Sequence, residues 1–332
     1  MKLVSIVIIN WNGKKFIKKC VNSLLTQSYE NIEIWFIDNN SSDDSFAYFN
    51  DNFKGSNVTS IRNKNNLGYS GGANQGIGLA KGEYVVIMNP DVVLENDYIE
   101  KIVEYANNDN SVGAITGKLL KYDTDKGINT NFIDSTGIVL FRNGRAIDRG
   151  QNEEDVNQYN QIERVFGVCG AVAFYKKEAL EKIKLGKEYF DKDFFAYKED
   201  IDLSWRLNLY GYKCMYLPEA IGYHARGLGG SNGSIKAYIE NRKKQSEYLR
   251  GISFRNHYLM IIKNKTSVSR SFNKYDIYKR FISFMCYSLI YERFNFKYLL
   301  QMIKLIPKMK KKNKIISNKS NVDLLEFKNI LS

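Results

Sequence analysis

The stretch Glu83-Tyr84-Val85-Val86-Ile87-Met88-Asn89-Pro90-Asp91-Val92-Val93-Leu94 decides how the rest of the chain is read. Five consecutive large apolar or aromatic residues run into a proline and an aspartate. This pattern predicts a strand buried on both faces that delivers a carboxylate at its carboxyl end. In open parallel sheets ligands bind at that edge. Pro90 fixes the turn, because proline locks its own φ and biases the preceding residue away from helix. On this stretch alone Asp91 has two readings: it ends a strand, or it holds a divalent cation, the usual partner of a phosphate group.

Around this stretch the chain repeats a strand–loop–helix unit. Residues 4–9 form a β-branched run that ends in Asn10-Trp11-Asn12-Gly13, and Phe16, Cys20 and Leu24 follow at helical spacing. The unit recurs as 32–37 with Asp38-Asn39-Asn40-Ser41-Ser42-Asp43 and a helix over 45–53, then as 58–61 with a helix over 73–80. It recurs again as 84–88 with a helix over 96–106. Strands alternating with helices imply right-handed crossovers and a mainly parallel sheet covered on both faces, the α/β class with a Rossmann-like arrangement. Four loops then meet at one sheet edge and form a nucleotide-sized crevice. One of them, Asn65-Asn66-Leu67-Gly68-Tyr69-Ser70-Gly71-Gly72-Ala73-Asn74, suits a phosphate cradle, because glycines let backbone N–H groups approach an anion at a helix start. It lacks the dinucleotide fingerprint and the Lys-Ser/Thr ending of a nucleoside-triphosphate loop, and an ordinary flexible turn is the other reading.

Residues 118–164 break the rhythm and read as a polar insertion with at most short hairpin strands near 137–141. An apolar strand is expected over 165–175, then a helix over 177–183. The segment 190–206 places Glu199, Asp200 and Asp202 at the start of a helix marked by Ile201, Trp205 and Leu209. Acidic residues in a first turn complement the helix dipole. Asp200 also follows an aromatic run, where a raised pKa would suit a proton acceptor. After an edge strand over 213–217, stopped by Pro218, comes Gly222-Tyr223-His224 and a glycine-rich loop. His224, one of two histidines, is either a metal ligand or a structural histidine.

Charge separates the chain into two parts. Residues 234–332 carry 22 Lys+Arg against 6 Asp+Glu, while residues 1–233 carry 27 against 30. The basic excess therefore sits in a C-terminal region that reads as helices over 248–262 and 277–306, with Phe281, Phe284, Tyr287, Tyr291, Phe294, Phe296 and Tyr298 along them. A nucleic-acid protein would spread basic residues over its binding fold. A polybasic, aromatic-rich appendage suits an anionic membrane surface, and a homodimer interface is its rival use. No run reaches the roughly 18 apolar residues of a membrane span. Cys20, Cys169, Cys214 and Cys286 form no metal or redox spacing and suit free thiols in a reducing compartment. With no signal-peptide pattern, a cytoplasmic protein, peripheral on the cytoplasmic membrane face, is expected. The division expected is 1–233 for the α/β unit and 234–332 for the helical region.

Taken in order, these motifs resemble the inverting family-2 glycosyltransferases with a GT-A fold, and within them the bacterial rhamnosyltransferase-like group. The matching residues are Ile8 to Asn12, Ile37 to Asp43, Asn66 to Asn74, Met88-Asn89-Pro90-Asp91, Glu199 to Arg206, and Tyr223-His224. The resemblance covers about residues 3–232. It implies that Asp38 reads the uracil or thymine edge of a nucleotide-sugar donor, with Asn10, Trp11, Asn12, Asn66 and Gly68 lining base and ribose. It implies further that Asp91 and His224 hold Mg or Mn beside the diphosphate, that Asp200 is the catalytic base, and that Gly170, Glu199 and Trp205 face the acceptor. Arg206 either holds the diphosphate or braces its helix. The first aspartate of the family's Asp-x-Asp is Asn89 here, which removes a charge from the metal site. The donor implied is dTDP-L-rhamnose, with UDP-galactofuranose, UDP-glucose or a UDP-N-acetylhexosamine as alternatives. The acceptor implied is a saccharide or lipid-linked saccharide of bacterial cell-surface polysaccharide. A dinucleotide oxidoreductase would need fingerprint glycines after the first strand, which Asn10 to Gly13 do not supply. A noncatalytic nucleotide- or membrane-surface-binding protein would not need Asp91 or Asp200.

Overall fold

A computed structural model of the chain describes residues 1–225, 242 and 245–332. The α/β class holds. Strands β1 (Val4–Asn10), β2 (Ile32–Asp38), β3 (Val58–Arg62) and β4 (Tyr84–Met88) pair in parallel in the order β4-β1-β2-β3. Alternate side chains explain why β1 and β4 are almost wholly apolar and buried along their length. Val4, Ile6 and Ile8 of β1 and Tyr84, Val86 and Met88 of β4 enter one core, and Val7, Ile9, Val85 and Ile87 enter the other. Helices α1 (Lys14–Leu25) and α4 (Tyr98–Asn108) cover the first face with Ile17, Cys20, Leu24, Ile99 and Ile102. Helices α3 (Gly68–Leu79) and α5 (Lys177–Ile183) cover the second with Ala73, Ile77, Leu180 and Ile183. The remaining helix of this unit, α2 (Ser45–Asn52), buries Phe49 against Phe36.

Beyond β4 the structure departs from the expected pattern. The sheet is mixed: β11 (Val172–Lys176) runs antiparallel between β4 and β6 (Val112–Asp123), and β12 (Lys213–His224) lies parallel to β6. Residues 118–164 are not a polar excursion. They continue β6 and add β7 (Ile128–Ser135), the hairpin β8 (Ile138–Leu140) with β9 (Ala146–Asp148), and β10 (Glu163–Val165). The apolar run 165–175 is split between β10 and β11 for the same reason. Pro218 does not stop β12. The register against β6 shifts between Leu217 and Ile221, and the proline sits in that irregularity, where no ladder hydrogen bond is needed. The strand is interior, between β6 and β10, and its end also pairs β5 (Val92–Leu94).

The C-terminal helices pack against the α/β unit through a third core. Helix α6 (Glu199–Leu209) presents Ile201, Trp205 and Leu209 to α7 (Glu247–Asn264), α9 (Asn295–Lys319) and α10 (Leu324–Asn329), which supply Ile252, Leu259, Met302, Met309, Ile316 and Phe327. The chain end returns to β8, where Ser332 N donates to Leu140 O at 3.1 Å. Helix α8 (Lys274–Tyr291) packs on this core from outside with the half-buried Ile277, Phe281, Phe284 and Met285, Phe284 stacking on Phe254 with centroids 4.7 Å apart, and it buries only Ser288 fully. The expected boundary at 233/234 and the glycine-rich stretch after Ala225 lie outside the described residues.

Candidate active site

Two cavities open at the carboxyl edge of β1, β2 and β4 and meet at Tyr69, Asn89, Asp91 and Ala196. The first, about 600 Å³, is walled by Trp11, Asn12, Asn39, Asn66, Gly68, Pro90 and Phe195, with Tyr248 and Leu249 arriving from α7. Trp11 is 57% exposed, an unusual position for an indole unless something stacks on it. Gly68 has φ +70°, and a Cβ there would fall 2.4 Å from Phe195 O, so only glycine lets this wall close.

Asn10 and Asp38 are fully buried behind this wall. Asp38 accepts from Asn10 Nδ2 at 2.8 Å, Ser41 Oγ at 2.5 Å and Ser41 N at 3.0 Å, and Arg62 Nε lies 3.8 Å away. These bonds tie the β1 and β2 loops together, so Asp38 and Asn10 shape the first cavity from behind and do not line it. The glycine-rich loop is also different from a cradle, because Gly68 already begins α3. Gly72 and Gly76 keep that helix close to β1, where a Cβ would meet Ile9 at 3.0 Å and Val7 at 2.2 Å.

The second cavity, about 810 Å³, is lined by Asp91, His224, Asp148, Gly170, Lys198, Glu199 and Asp200. Asp200 Oδ2 accepts from Gly170 N at 3.2 Å, and Oδ1 from Ile201 N at 2.8 Å. Burial raises the Asp200 pKa; Lys198 opposes this and Asp148 adds to it. Beside it, Glu199 is buried with Oε2 unpartnered among the described residues. Burial, then the neighbouring Asp200, pushes its pKa well above the carboxylate range. Two adjacent carboxyls with different hydrogen bonding can divide protonation between them. Gly170 therefore reaches the site through Asp200, and Tyr69, which the motif reading left without a role, donates to Gly170 O at 2.7 Å.

Where the cavities meet, Asp91 Oδ1 is a buried carboxylate oxygen with no hydrogen bond among the described residues, 3.4 Å from His224 Nε2. His224 Nδ1 lies 2.8 Å from Asp134 Oδ2, which orients the ring. Burial alone would lower the His224 pKa, but Asp134 and Asp91 outweigh it and push the value up to about 9. No group of three His, Cys, Asp or Glu side chains suited to a metal is present among the described residues. Asp91 and His224 nevertheless fit a divalent cation, because a carboxylate oxygen and an imidazole nitrogen converge there, and a cation would displace the second imidazole proton.

Two expected site residues lie elsewhere. Arg206 is fully buried and braces the fold: Nη1 donates to Ile183 O at 2.9 Å, Nη2 to Tyr189 O at 2.5 Å, and Nε lies 3.2 Å from Asp202 Oδ2. No donor group can reach it. Trp205 is likewise buried, stacked on Phe272 with centroids 5.1 Å apart and near Phe327, so it belongs to the third core and not to an acceptor surface.

The description Glycosyl transferase family 2 matches residues 5–184. An uncharacterized glycosyltransferase of Haemophilus influenzae is 26% identical over 247 residues, 72% of this chain and 70% of its own length. A poly-beta-1,6-N-acetyl-D-glucosamine synthase of Staphylococcus epidermidis is 25% identical over 225 residues, 66% of this chain and 48% of its own length. The crystal structure of GalNAc-T7 with UDP, GalNAc and Mn2+ aligns with a TM-score of 0.58 at 14% identity, over 79% of this chain and 48% of that one, a likeness of fold. The chain thus spans about half the length of the synthase and of GalNAc-T7.

Proposed function

The chain belongs to glycosyl transferase family 2, and we propose that its cleft transfers a sugar, with inversion, from a nucleoside-diphosphate donor to a saccharide or lipid-linked acceptor in cell-surface polysaccharide synthesis. The observation that carries this is Asp200: a carboxylate with a raised pKa, held by Gly170 N, in a cavity that joins a base-sized pocket at Asn89 and Asp91. Asp200 takes the proton of an acceptor hydroxyl. That oxygen attacks the anomeric carbon, and the carbon–oxygen bond to the diphosphate breaks on the opposite face, leaving its electron pair on the phosphate. Trp11, Asn12, Asn66 and Gly68 hold the nucleotide, and Glu199 meets the acceptor. A divalent Mg or Mn ion, when bound, would offset the charge growing on the leaving diphosphate, and Asp91 with His224 would hold it.

For the donor we take dTDP-L-rhamnose first, from the resemblance to the rhamnosyltransferase-like group, and a UDP-N-acetylhexosamine second, which the synthase relative favours. The test is thermal unfolding of the full chain with each nucleotide sugar, with and without Mn. A donor present at a hundred times its Kd stabilises by about 2.7 kcal/mol. The cognate donor is expected to raise Tm, and more so with Mn. If every nucleotide sugar leaves Tm where it was, the reading fails.

The membrane association belongs to the same proposal. On α8 and the start of α9, Tyr275, Tyr278, Leu289, Ile290, Leu300 and Ile303 are exposed, with Lys274, Lys279, Arg293, Lys297 and Lys304 among them. This combination suits a helix pair lying on an anionic bilayer; no helix among the described residues is long and apolar enough to cross one. Flotation with phosphatidylserine vesicles is expected for the full chain and lost in the combined variant Tyr278→Glu, Leu289→Glu, Ile290→Glu. Flotation unchanged by those substitutions, or dimers that they dissociate, would move the surface to another use.

A further inference from the structure

The backbone between the two cavities is under conformational strain. Phe195 and Ala196 face the nucleotide side, Ala196, Tyr197 and Lys198 face the catalytic side, and Lys198 is the N-cap of α6, immediately before Glu199 and Asp200. Phe195, Tyr197 and Lys198 have φ values of 64°, 68° and 74°. Each such residue costs about 1–3 kcal/mol and persists only where its surroundings over-determine it.

Part of the restraint comes from α3, where Ser70 N donates to Phe195 O at 3.1 Å. Most of it comes from α7. The fully buried Asn256 places Nδ2 2.8, 2.9 and 2.9 Å from the carbonyl oxygens of Phe194, Ala196 and Tyr197. Arg255 Nη2 donates to Asp193 O at 2.8 Å, and its Nε donates to Asn256 Oδ1 at 3.1 Å. That last bond sets the orientation of the amide, with its oxygen on the guanidinium and its nitrogen on three carbonyls of one turn.

We propose that Asn256, oriented by Arg255, is a positioning residue: it holds 194–197 in the strained conformation that sets Glu199 and Asp200 on the cavity wall. The C-terminal helical region thereby becomes part of the transferase site. The proposal rests on Asp200 as the base for its kinetic consequence and on backbone geometry alone for its structural one, so the two can be tested apart.

The experiment compares Asn256→Ala, Asn256→Asp and Arg255→Lys in the full chain by hydrogen exchange, kcat, acceptor KM and UDP Kd. The aspartate is the sharper variant, since it keeps the size and puts an acceptor where the amide nitrogen donates. Exchange at 195–202 and at Ser70 is expected to rise about tenfold or more, with the amides of β1 and β4 unchanged. kcat should fall about 10–100-fold, as expected for misplacing a catalytic group by an ångström. UDP Kd should change less than kcat, by no more than about tenfold, because Trp11, Asn12 and Asn66 come from other loops and only Phe195 and Ala196 of this one face the nucleotide. Arg255→Lys should give the same local pattern more weakly, and it carries the test if the Asn256 variants do not fold. Folded variants whose loop exchanges as in the parent chain, or whose kcat falls only with the folded fraction, would overturn the proposal. Local exchange that rises as expected in a chain that transfers no sugar would overturn the catalytic reading and leave the loop restraint standing.

Discussion

Asp200→Asn is expected to lower kcat at least about a hundredfold, since general-base assistance is worth 10²–10⁴. The substitution keeps the size of the side chain, and its remaining oxygen can still accept from one of the two donors, Gly170 N or Ile201 N, which in the parent chain are met by different oxygens. It removes the group that accepts the acceptor's proton. Nothing on the nucleotide side touches Asp200, so binding of UDP or the cognate nucleotide sugar, read by calorimetry, should change little. The pH dependence gives a second readout. A base works deprotonated, and burial raises the Asp200 pKa, so turnover in the parent chain should fall on acidification at a higher pH than an ordinary aspartate would give. The residual activity of Asp200→Asn should lack that limb. Near-normal turnover in this variant would remove Asp200 from the base role, and unchanged turnover with lost nucleotide affinity would assign it to the donor.

The parts of this site that were legible in the sequence are those set by local pattern. The apolar run 84–88 had to be a strand with both faces buried, and the carboxylates it and α6 deliver do share one cavity. What pattern could not supply is orientation against elements distant in sequence. Trp205 and Arg206 sit about one and a half turns beyond Asp200, and helical spacing cannot say that Trp205 meets the C-terminal helices or that Arg206 turns to the carbonyls of Ile183 and Tyr189 until those segments pack there. Asp38 keeps its motif position but spends its oxygens on Asn10 and Ser41, which only the pairing of β1 with β2 brings within reach. Pro218 was read by its usual effect on a ladder, and the irregularity in β12 made that effect irrelevant. The charge count also could not say which C-terminal lysines turn inward: Lys308 and Lys312, four apart on α9, both reach Asp193, at 2.7 and 2.8 Å.

That last contact extends into a buried ionic cluster on which the second large effect is expected. Asp202, Lys263 and Arg206 have side chains with no exposure and Asp191 has 1%. Lys263 Nζ lies 2.8 Å from both Asp191 and Asp202, Asp202 Oδ1 accepts from Asn264 Nδ2 at 2.8 Å, and Lys312 Nζ reaches Asp191 at 2.5 Å. Burial by itself would raise the Asp191 pKa, but Lys263 and Lys312 hold it far below the usual range. Its stabilising contribution is therefore complete above the ordinary carboxylate pKa and is lost as pH falls through the lower folded value. Removing one member of such a cluster costs about 3–5 kcal/mol, because the charges left behind stay buried without their partner. Asp202→Ala takes the carboxylate away from Arg206 and one of the two away from Lys263, so Tm should fall by on the order of 10 °C. The exposed Lys310→Ala on the same helix as Lys312 should stay within about 0.5 kcal/mol. A Tm for Asp202→Ala within about 2 °C of the parent chain, under 1 kcal/mol at this size, would mean that water or a rearranged Asp191 satisfies both cations. In that case Asp202 adds little to the tie between α7 and the loop before Glu199, and Asn256 with Arg255 carries most of that restraint.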